Sequence, residues 1–493
     1  DTSHYTGTCY RAANWQYLGR TKGRGRQDVF RKREESIKDI YVYPLEESFR
    51  VKMGLPEGRG LGAIEITDGI DGGEWVEKEF GGARLGDKRL SQRLVEIAGD
   101  KAGQPGRSYG GARGGDLPRV KAYYRFIDKP DDTAVTMPAI LQPHRERTIQ
   151  RMKAQKTVLC IQDGSDLNYS PLARCEGLGF IGTNQTGKKS KGLHLHSTFA
   201  VTSSGLPLGV LRAGCTAREQ RSQEDRRALS AIPIEEKNTF SWIQGVRDCM
   251  EIKQLMPHTS LISVMDREAD FFEIFDDQRR KSSRVDLLIR AQHNRKTMGE
   301  HKLFEEVMQS PIQSRITIKI PRQSARVKKK NQKARSKRAA RIAEVTVRYI
   351  RAELKPPPYF QEMAPISLWI IHVKEEKPPA GTKAVEWFLL TTIDIKSPHD
   401  ALDCIAWYCL RWRIEDWHRV LKSGCGIEAL AHKTAGRLKR AIAINLVIAW
   451  RIMLMTLLGR EMPELPPEVL FSDIEIKVLQ AYAKKKALTF PVL

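Results

Sequence analysis

The stretch Val158-Leu159-Cys160-Ile161-Gln162-Asp163 decides the fold class, because it is a short apolar run with strand character that leads into a carboxylate. A second run of this kind, Leu261 to Met265, leads into Asp266. A predicted helix from about Ser241 to Leu255 precedes the second run. Strands that alternate with helices predict an α/β fold with a largely mixed sheet.

The other predicted elements extend this pattern along the chain. Strands are predicted at Leu195 to Val201, Leu208 to Leu211 and Asp286 to Ala291, and a helix at Glu268 to Arg279. Residues 296–395 interrupt the order with four strand-like runs, Arg315 to Ile320, Glu344 to Arg351, Ile366 to Val373 and Trp387 to Thr392. Helical patterns begin at Trp75 and return from about Pro398 to the end. Within the first of these regions, Asp87 has the features of a helix N-cap.

The charge of the chain points to a polyanionic partner. Its 493 residues carry a net charge of +24, with a pI near 9.7, and such an excess of Lys and Arg costs self-repulsion unless a polyanion neutralises it. Nucleic acid is the leading candidate, an anionic membrane surface is second, and a basic protein without such a partner is the third interpretation. The length predicts roughly two to four domains.

Cysteines and apolar segments bear on the compartment. The eight cysteines are scattered and form no CxxC pair, which argues against a structural zinc site and against a disulfide framework. Reduced cysteines fit a cytoplasmic protein, and no basic-then-apolar leader follows Asp1. The longest apolar stretch, Ala441 to Gly459, contains Asn445 and Arg451, so it predicts a buried helix rather than a membrane span.

Two aspartates, Asp163 and Asp266, are predicted to lie just past strand ends. Ligands in α/β sheets gather at strand ends, where side chains emerge from the core into a cleft. An Asp at one strand end often only starts a turn, but two such positions in one sheet favour a shared site.

A third carboxylate, Glu415, lies in a predicted helix with Tyr408, Arg411 and Lys422. The offsets between these four residues are three, four and seven, which places them within roughly 60° of one helix face. On periodicity alone, a solvated face with an Arg411–Glu415 pair explains this pattern at least as well as a site. The alternative is chemical: cleavage and transfer of DNA phosphodiesters can use two divalent cations held by three carboxylates, with cationic side chains beside them for phosphates.

Three further features have both a functional and a structural interpretation. The basic run Arg322 to Arg341, with Lys328, Lys329 and Lys330 at its centre, favours contacts to a DNA backbone over a solvated loop. His194 and His196 share one face of a predicted strand, and a hydrogen-bonded pair is favoured over a metal site. Trp407, Trp412 and Trp417 are predicted to pack the helix of Glu415 into the core.

These motifs together resemble the insertion-sequence-four family of bacterial DDE transposases, which includes the transposase of transposon five. The resemblance runs from about Trp75 to the C-terminus. Four pieces carry it: the Y-x2-R-x3-E-x6-K pattern of residues 408–422, the segment Asp266-Arg267-Glu268-Ala269-Asp270, the segment Ile161-Gln162-Asp163, and two pieces of the end-binding region, Leu85 to Leu94 and Ala122 to Phe126. Trp387 matches a position of the family's inserted β-region.

The resemblance implies an RNase H-like catalytic core and a complete site. Two divalent ions would be bound by Asp163, Asp266 and Glu415. The expected ion is Mg²⁺, and Mn²⁺ can substitute for it. Tyr408, Arg411 and Lys422 would contact the DNA backbone at the cleavage site. Further DNA contacts implied are Arg89, Arg93 and Arg125 at the transposon end and Trp387 on distorted DNA. The activity implied is nicking, hairpin formation and strand transfer, with double-stranded DNA of the terminal repeats and the target as partner, and no membrane.

The resemblance also gives a domain plan. Residues 1–67 are similar to the end of a Druantia A-type domain, 74–145 to an end-binding helical domain, and 150–430 to the catalytic domain with its β-rich insertion at 296–395. Residues 431–493 form a C-terminal helical segment that stops before the family's dimer-forming helices, so a homodimer is expected only if this segment permits it. Two other interpretations stay open: a DNA-binding remnant without catalysis, and a nuclease on the same fold.

Overall fold

A computed structural model describes residues 16–20, 39–42, 74–112, 116–183, 188–218, 232–281, 284–320, 341–360, 362–461 and 467–486. The chain divides into two units, residues 1–65 and 66–493. In the first unit, β1 (Gln16–Arg20) pairs antiparallel with β2 (Asp39–Val42). The rest of the predicted Druantia-like segment lies outside the described residues, as do Lys328, Lys329 and Lys330.

The second unit begins with a helical region. Its helices are α1 (Trp75–Phe80), α2 (Lys88–Gly103), α3 (Tyr109–Ala112), α4 (Leu117–Ile127) and α5 (Met137–Lys153). Asp87 caps α2 as expected, because its side chain accepts a hydrogen bond from the Arg89 amide. Leu94, Ile97 and Ala98 recur at helical spacing and are buried, so α2 presents one apolar stripe to its neighbours.

A buried ion cluster joins α1 to α5. The Glu79 carboxylate, 1% exposed, accepts from Arg151 Nη1 at 2.7 Å and from Arg147 Nε at 3.2 Å, and it also pairs with His144. Arg151 in turn donates to the Leu208 carbonyl at 2.6 Å. A charge with no water around it needs such partners, so this cluster fixes the helical region to the first strands of the sheet.

A ten-stranded sheet follows the helical region. Its strands are β3 (Thr157–Asn168), β4 (Gly179–Thr183), β5 (Lys189–Thr202), β6 (Pro207–Thr216), β7 (Ser260–Met265), β8 (Asp286–Arg290), β9 (Ser314–Ile320), β10 (Arg341–Leu354), β11 (Ile366–Glu375) and β12 (Glu386–Thr391). Their order is β4-β5-β3-β7-β8-β12-β11-β10-β9, and β6 also pairs with β5. The sequence prediction of a mixed α/β fold is therefore confirmed.

Five strands, β6-β5-β3-β7-β8, form the half of the sheet that carries the two aspartates. β7 and β8 run parallel to β3, whereas β5 is antiparallel both to β3 and to β6. Of these five strands only β5 therefore runs opposite to β3. The strands of the insertion, β9 to β12, continue the same sheet, because β12 pairs antiparallel with the edge of β8.

Helices cover both faces of this half of the sheet. On one face, α6 (Phe240–Gln254), α7 (Phe272–Arg279) and α8 (Leu303–Gln309) bury an apolar cluster with alternate strand residues such as Val158 and Cys160. The next helices are α9 (Pro398–Cys409), α10 (Trp412–Arg419), α11 (Ala435–Glu461) and α12 (Asp473–Lys485), with a π-helical turn at Val420–Gly424. α10 packs against β3, and α11 against β6.

Two sequence predictions about helices were wrong in detail. Residues 268–279 do not form one helix: a 3-10 turn at Arg267–Ala269 is followed by a break at Asp270 before α7 begins. Residues 408–422 are likewise not one helix, because α9 ends at Cys409 and α10 begins at Trp412. At this junction the Arg411 and Arg413 amides bond to carbonyls three residues back, which tightens the backbone into 3-10 turns.

α11 is long and apolar enough to span a membrane by composition, since it includes the stretch Ala441 to Gly459. In the structure 83% of its most apolar window is buried inside the protein. Asn445 Nδ2 bonds back to the Ala441 carbonyl at 2.8 Å, and Trp450 Nε1 donates to the Pro207 carbonyl at 3.0 Å. Packing against the protein therefore accounts for its apolar residues, as the sequence predicted.

Candidate active site

Asp163 and Asp266 lie at the same level on neighbouring parallel strands. β3 and β7 pair up to Ile161↔Val264, so each aspartate stands two residues past the same pair. Asp266 follows the end of β7 as predicted, whereas Asp163 lies inside β3 and not past its end. The strand continues because β5 goes on pairing with it to Asn168, after its pairing with β7 has stopped. The aspartate is thus at the point where β3 leaves the core of the sheet.

Arg411 connects the helical carboxylate to the first aspartate. Its guanidinium pairs with Glu415 through Nη2 and lies 3.4 Å from Asp163 Oδ2 through Nη1. The Arg411 side chain is buried, while Glu415 is partly exposed. The break between α9 and α10 lets the side chain of Arg411, at the start of α10, reach the sheet face on which Asp163 stands.

The electrostatics of the site centre on Asp163, whose pKa lies above its usual range. Burial raises the pKa of Asp163 to about 7, the Arg411 guanidinium opposes this rise, and the nearby carboxylates of Asp266 and Glu415 add to it. Arg411 is therefore shared between Asp163 and Glu415, and the carboxylate of Asp266 acts on Asp163 as well. Such a cluster stabilises any further cation that reaches it.

Carboxylate oxygens are the donors that Mg²⁺ and Mn²⁺ prefer, so the three acids fit these ions in kind. Within the described part of the chain, however, no three His, Cys, Asp or Glu side chains are grouped closely enough to hold one ion. The pairing of Arg411 with both Asp163 and Glu415 is the contact that occupies this position.

The remaining predicted side chains of the site lie around the carboxylates. Tyr408 is buried and contacts Trp387 edge-on, with ring centroids 6.1 Å apart. Trp387 is half-buried on β12, so the insertion places an aromatic ring beside the site. Lys422, in the π-helical turn, donates to the Asp166 carbonyl of β3 at 2.7 Å.

The predicted end-binding arginines lie on the helices before the sheet. Arg89 and Arg93 are on α2, and Arg125 is on α4. Arg89 and Arg125 are exposed, while Arg93 Nη1 pairs with Glu96 at 2.6 Å. All three are placed on solvent-facing positions of the region that the sequence assigned to DNA-end binding.

Sequence reasoning missed three groups around the site. Arg290, the last residue of β8, lies close enough to Tyr408 for its positive charge to oppose the rise that burial causes in the pKa of that phenol, and it adds a second guanidinium to the site. Asp270 is buried and accepts from the amides of Gln292 and His293, at 2.6 and 2.9 Å, which ties the turn after Asp266 to the end of β8. The available signal was position, since Arg290 ends the predicted strand beside the one that leads to Asp266.

The third missed group is a buried contact between His418 and Ser197. His418 Nε2 lies 3.0 Å from Ser197 Oγ, and Ser197 is the residue directly opposite Asp163 in the β3–β5 pairing. Burial lowers the pKa of His418 to about 3, so the ring is neutral at physiological pH. A histidine three residues after a helical glutamate carries no sequence signal of its own.

Two weaker predictions had mixed outcomes. Trp417 is fully buried and stacks on Phe199, as predicted, but Trp412 is 59% exposed and does not pack into the core. His194 does form a hydrogen-bonded strand contact, to Asp166 Oδ1 at 2.8 Å, whereas the ring nitrogens of His196 have no hydrogen-bond partner among the described residues.

Comparison with known proteins gives the class of one region. Residues 73–131, which hold α1 to α4, match the family model described as Transposase DNA-binding. The chain therefore contains a transposase-type DNA-binding region, and the predicted end-binding helices fall within it. The solved synaptic complex of the piggyBac transposase with hairpin DNA is similar with a TM-score of 0.35 and 10% identity, covering 76% of this chain and 67% of that chain.

Proposed function

We propose that this chain is a DDE transposase that cuts and joins DNA at three carboxylates, Asp163, Asp266 and Glu415. The observation that carries the proposal is that Arg411 pairs with both Asp163 and Glu415, with the Asp266 charge acting on Asp163, in a chain that also matches a transposase DNA-binding family. The resemblance of the 408–422 segment to the insertion-sequence-four family supports the same activity.

The arrangement of the strands supports an RNase H-like core. Such a core has five strands in the order 3-2-1-4-5, with only the second antiparallel to the rest. The order β6-β5-β3-β7-β8, in which only β5 runs opposite to β3, agrees with this plan. Asp163 on the first of these strands, Asp266 after the fourth and Glu415 on a later helix are where such a core would hold its acids.

The residues of the site would divide the work as follows. The three carboxylates would hold two divalent ions, which would be Mg²⁺ or, as a substitute, Mn²⁺. These ions would supply an activated attacking oxygen and a stabilised leaving oxygen. Arg411 and Lys422 would bind the phosphates on either side of the scissile bond, and Arg290 would add positive charge beside Tyr408. Trp387 would support an unstacked base, because its ring lies beside Tyr408 at the open edge of the site.

The partners follow from the same proposal. The DNA-binding match supports double-stranded DNA at the transposon ends, with α2 and α4 presenting Arg89 and Arg125 to it. Backbone contacts of this kind give affinity that falls steeply with salt. A homodimer in the synaptic complex and a location in the bacterial cytoplasm are parts of the proposal.

The test is cleavage of a labelled duplex that carries the element's own ends, with Mg²⁺. We expect the unaltered chain to give hairpin-ended products and Glu415→Ala to give none. Asp416→Ala is the matched control, because Asp416 is the next carboxylate on α10 and pairs outward with Arg419 at 2.8 Å. Cleavage that survives Glu415→Ala would contradict the proposal.

One observation favours a second candidate, a DNA-binding protein without catalysis. Arg411 holds both Asp163 and Glu415, and the described carboxylates are not grouped for an ion. Tight duplex binding without cleavage by either the unaltered chain or Glu415→Ala would support this candidate. Cleavage without joining would support a nuclease.

A further inference from the structure

Three contacts attach α10, the helix of Glu415, to β3 and β5. Arg411 reaches Asp163 at one end of the helix. Trp417 stacks on Phe199 with ring centroids 4.8 Å apart. His418, one turn after Glu415, meets Ser197 at 3.0 Å, and both of these residues are buried.

The three contacts differ in what they can fix. The Arg411 contact is ionic and uses carboxylate oxygens of the kind that a divalent cation prefers, so a bound cation would compete with it. Ring stacking holds two surfaces together but tolerates a slide of one over the other. A buried hydrogen bond is directional, and leaving either partner unpaired is costly, so it resists such a slide.

We propose that His418 is a positioning residue which, through Ser197, fixes the separation between Glu415 and Asp163 and thereby the affinity of the carboxylate cluster for a divalent cation. This inference rests on the proposed function only in taking the three carboxylates as the cation site. Ser197 stands directly across from Asp163 in the sheet, and His418 stands one helical turn from Glu415. One hydrogen bond therefore links the helix that carries Glu415 to β5, at the residue of β5 that pairs with Asp163 on β3.

The chain offers a matched control in Ser263. Ser263 is also fully buried in the sheet, on β7, and its hydroxyl accepts one side-chain hydrogen bond, from Gln162 Nε2 at 2.8 Å. Ser197→Ala and Ser263→Ala thus each remove one buried serine hydrogen bond from the same sheet. We expect both variants to lose a similar amount of thermal stability.

The measurement is the Kd for Mn²⁺, by isothermal titration calorimetry on the full chain without DNA. We expect Ser197→Ala and His418→Leu to weaken Mn²⁺ binding by about tenfold, the effect typical of outer-shell partners of metal ligands. Ser263→Ala should bind as the unaltered chain does. His418→Gln should recover most of the affinity, because its amide can bond to the Ser197 hydroxyl from about the position of Nε2.

The outcomes separate the two proposals. Equal Mn²⁺ affinity for Ser197→Ala and Ser263→Ala, in a chain that does bind Mn²⁺, would overturn the positioning role and leave the proposed function intact. A chain that binds no Mn²⁺ when unaltered would overturn the proposed cation site and the positioning role with it. Weakened binding in both serine variants, in proportion to their loss of stability, would reduce His418 to a structural residue.

Discussion

Two arginine–carboxylate clusters of this protein carry opposite balances of charge. In the cluster between α1 and α5, burial would raise the pKa of Glu79, but His144, Arg151 and the hydrogen bonds they make lower it to about 2. In the candidate site, burial raises the pKa of Asp163 to about 7, and a single arginine does not reverse this. Both carboxylates are shielded from water, so burial alone does not explain the difference.

The number of partners explains it. Glu79 pairs with two arginines of its own, Arg147 and Arg151, and with His144. Asp163 shares Arg411 with Glu415, and Asp266 adds a third negative charge. Glu79 thus has its own set of cationic partners, whereas Asp163 shares its arginine with a second acid and keeps a raised pKa. That difference separates a structural ion cluster from a candidate site.

The largest expected effect is on catalysis. Glu415→Ala should lower the rate of strand cleavage by about a thousandfold or more, because several kcal/mol of transition-state stabilisation depend on the cation site. Single-turnover cleavage of a labelled end duplex measures this. The same variant should keep the far-UV circular dichroism of the unaltered chain. A loss of that signal would mean that Glu415 is needed for folding. Glu415 would then be a structural residue, as Glu79 is.

The second-largest expected effect is on stability, and here the Glu79 cluster should be more sensitive than the candidate site. Glu79→Gln should lower the free energy of unfolding by about 3–5 kcal/mol, because Arg151 is left buried without its charge partner. Urea denaturation measures this loss. Glu74→Gln, which removes an 82% exposed carboxylate from the start of α1, should change stability little. A small loss for Glu79→Gln would show that water enters the buried cluster.

The pH dependence sharpens the comparison further. The folded protein holds a proton on Asp163 up to about pH 7, whereas the unfolded chain releases it near 3.8, so metal-free protein should lose stability as pH rises between these values. The slope is at most about 1.4 kcal/mol per pH unit. Glu79 acts in the opposite sense: its contribution is full above 4.5 and is lost as pH falls toward about 2.

The pH-dependent contribution of Asp163 to the free energy of unfolding can be isolated. Unfolding curves of the unaltered chain and of Asp163→Asn, measured from pH 4 to 8 with a chelator, give it by difference. The stability of Asp163→Asn relative to the unaltered chain should rise through this range. A difference that stays constant with pH would show that Asp163 titrates normally and that its site carries no excess charge.

The smallest expected effect is on DNA affinity. Arg125→Ala should weaken binding of end duplexes, with the log–log dependence on salt becoming shallower by about one. Arg93→Ala should have less effect, since Arg93 already pairs with Glu96. Fluorescence anisotropy at several salt concentrations compares them. Equal effects for the two variants would mean that the Arg93–Glu96 ion pair breaks when DNA binds and that Arg93 contacts the DNA as Arg125 does.

The sequence predicted the strands better than the helices around the site. Apolar runs such as Leu261 to Met265 and Ile366 to Val373 mark buried strands whose bounds were predicted to within about two residues. The break at Leu410–Arg411 was missed because a helical spacing pattern does not reveal a single tightened turn. The continuation of β3 past Asp163 was missed because only its partner β5, distant in sequence, stabilises it.

Only some residues of the candidate site could be predicted from the sequence. Predicted strand ends favoured a shared site at Asp163 and Asp266, whereas Glu415 was implied by the resemblance of residues 408–422 to the insertion-sequence-four family, because spacing alone fitted a solvated helix face at least as well. Arg290 and the His418–Ser197 contact were missed because they become neighbours of the site only through pairing between distant strands and helices. Chemistry that depends on register is invisible until the register is known.

The π-helical turn at Val420–Gly424 sets a limit on how this chain can vary. Such a turn holds one residue more than an α-helical turn, and the extra residue here brings Lys422 against the Asp166 carbonyl. Deleting Leu421, which precedes the lysine, would rotate everything after it by about 100° and carry Lys422 away from β3. Ser423, which is exposed, can be exchanged freely, but the number of residues in this turn cannot. Related chains should therefore differ here in composition and never in length.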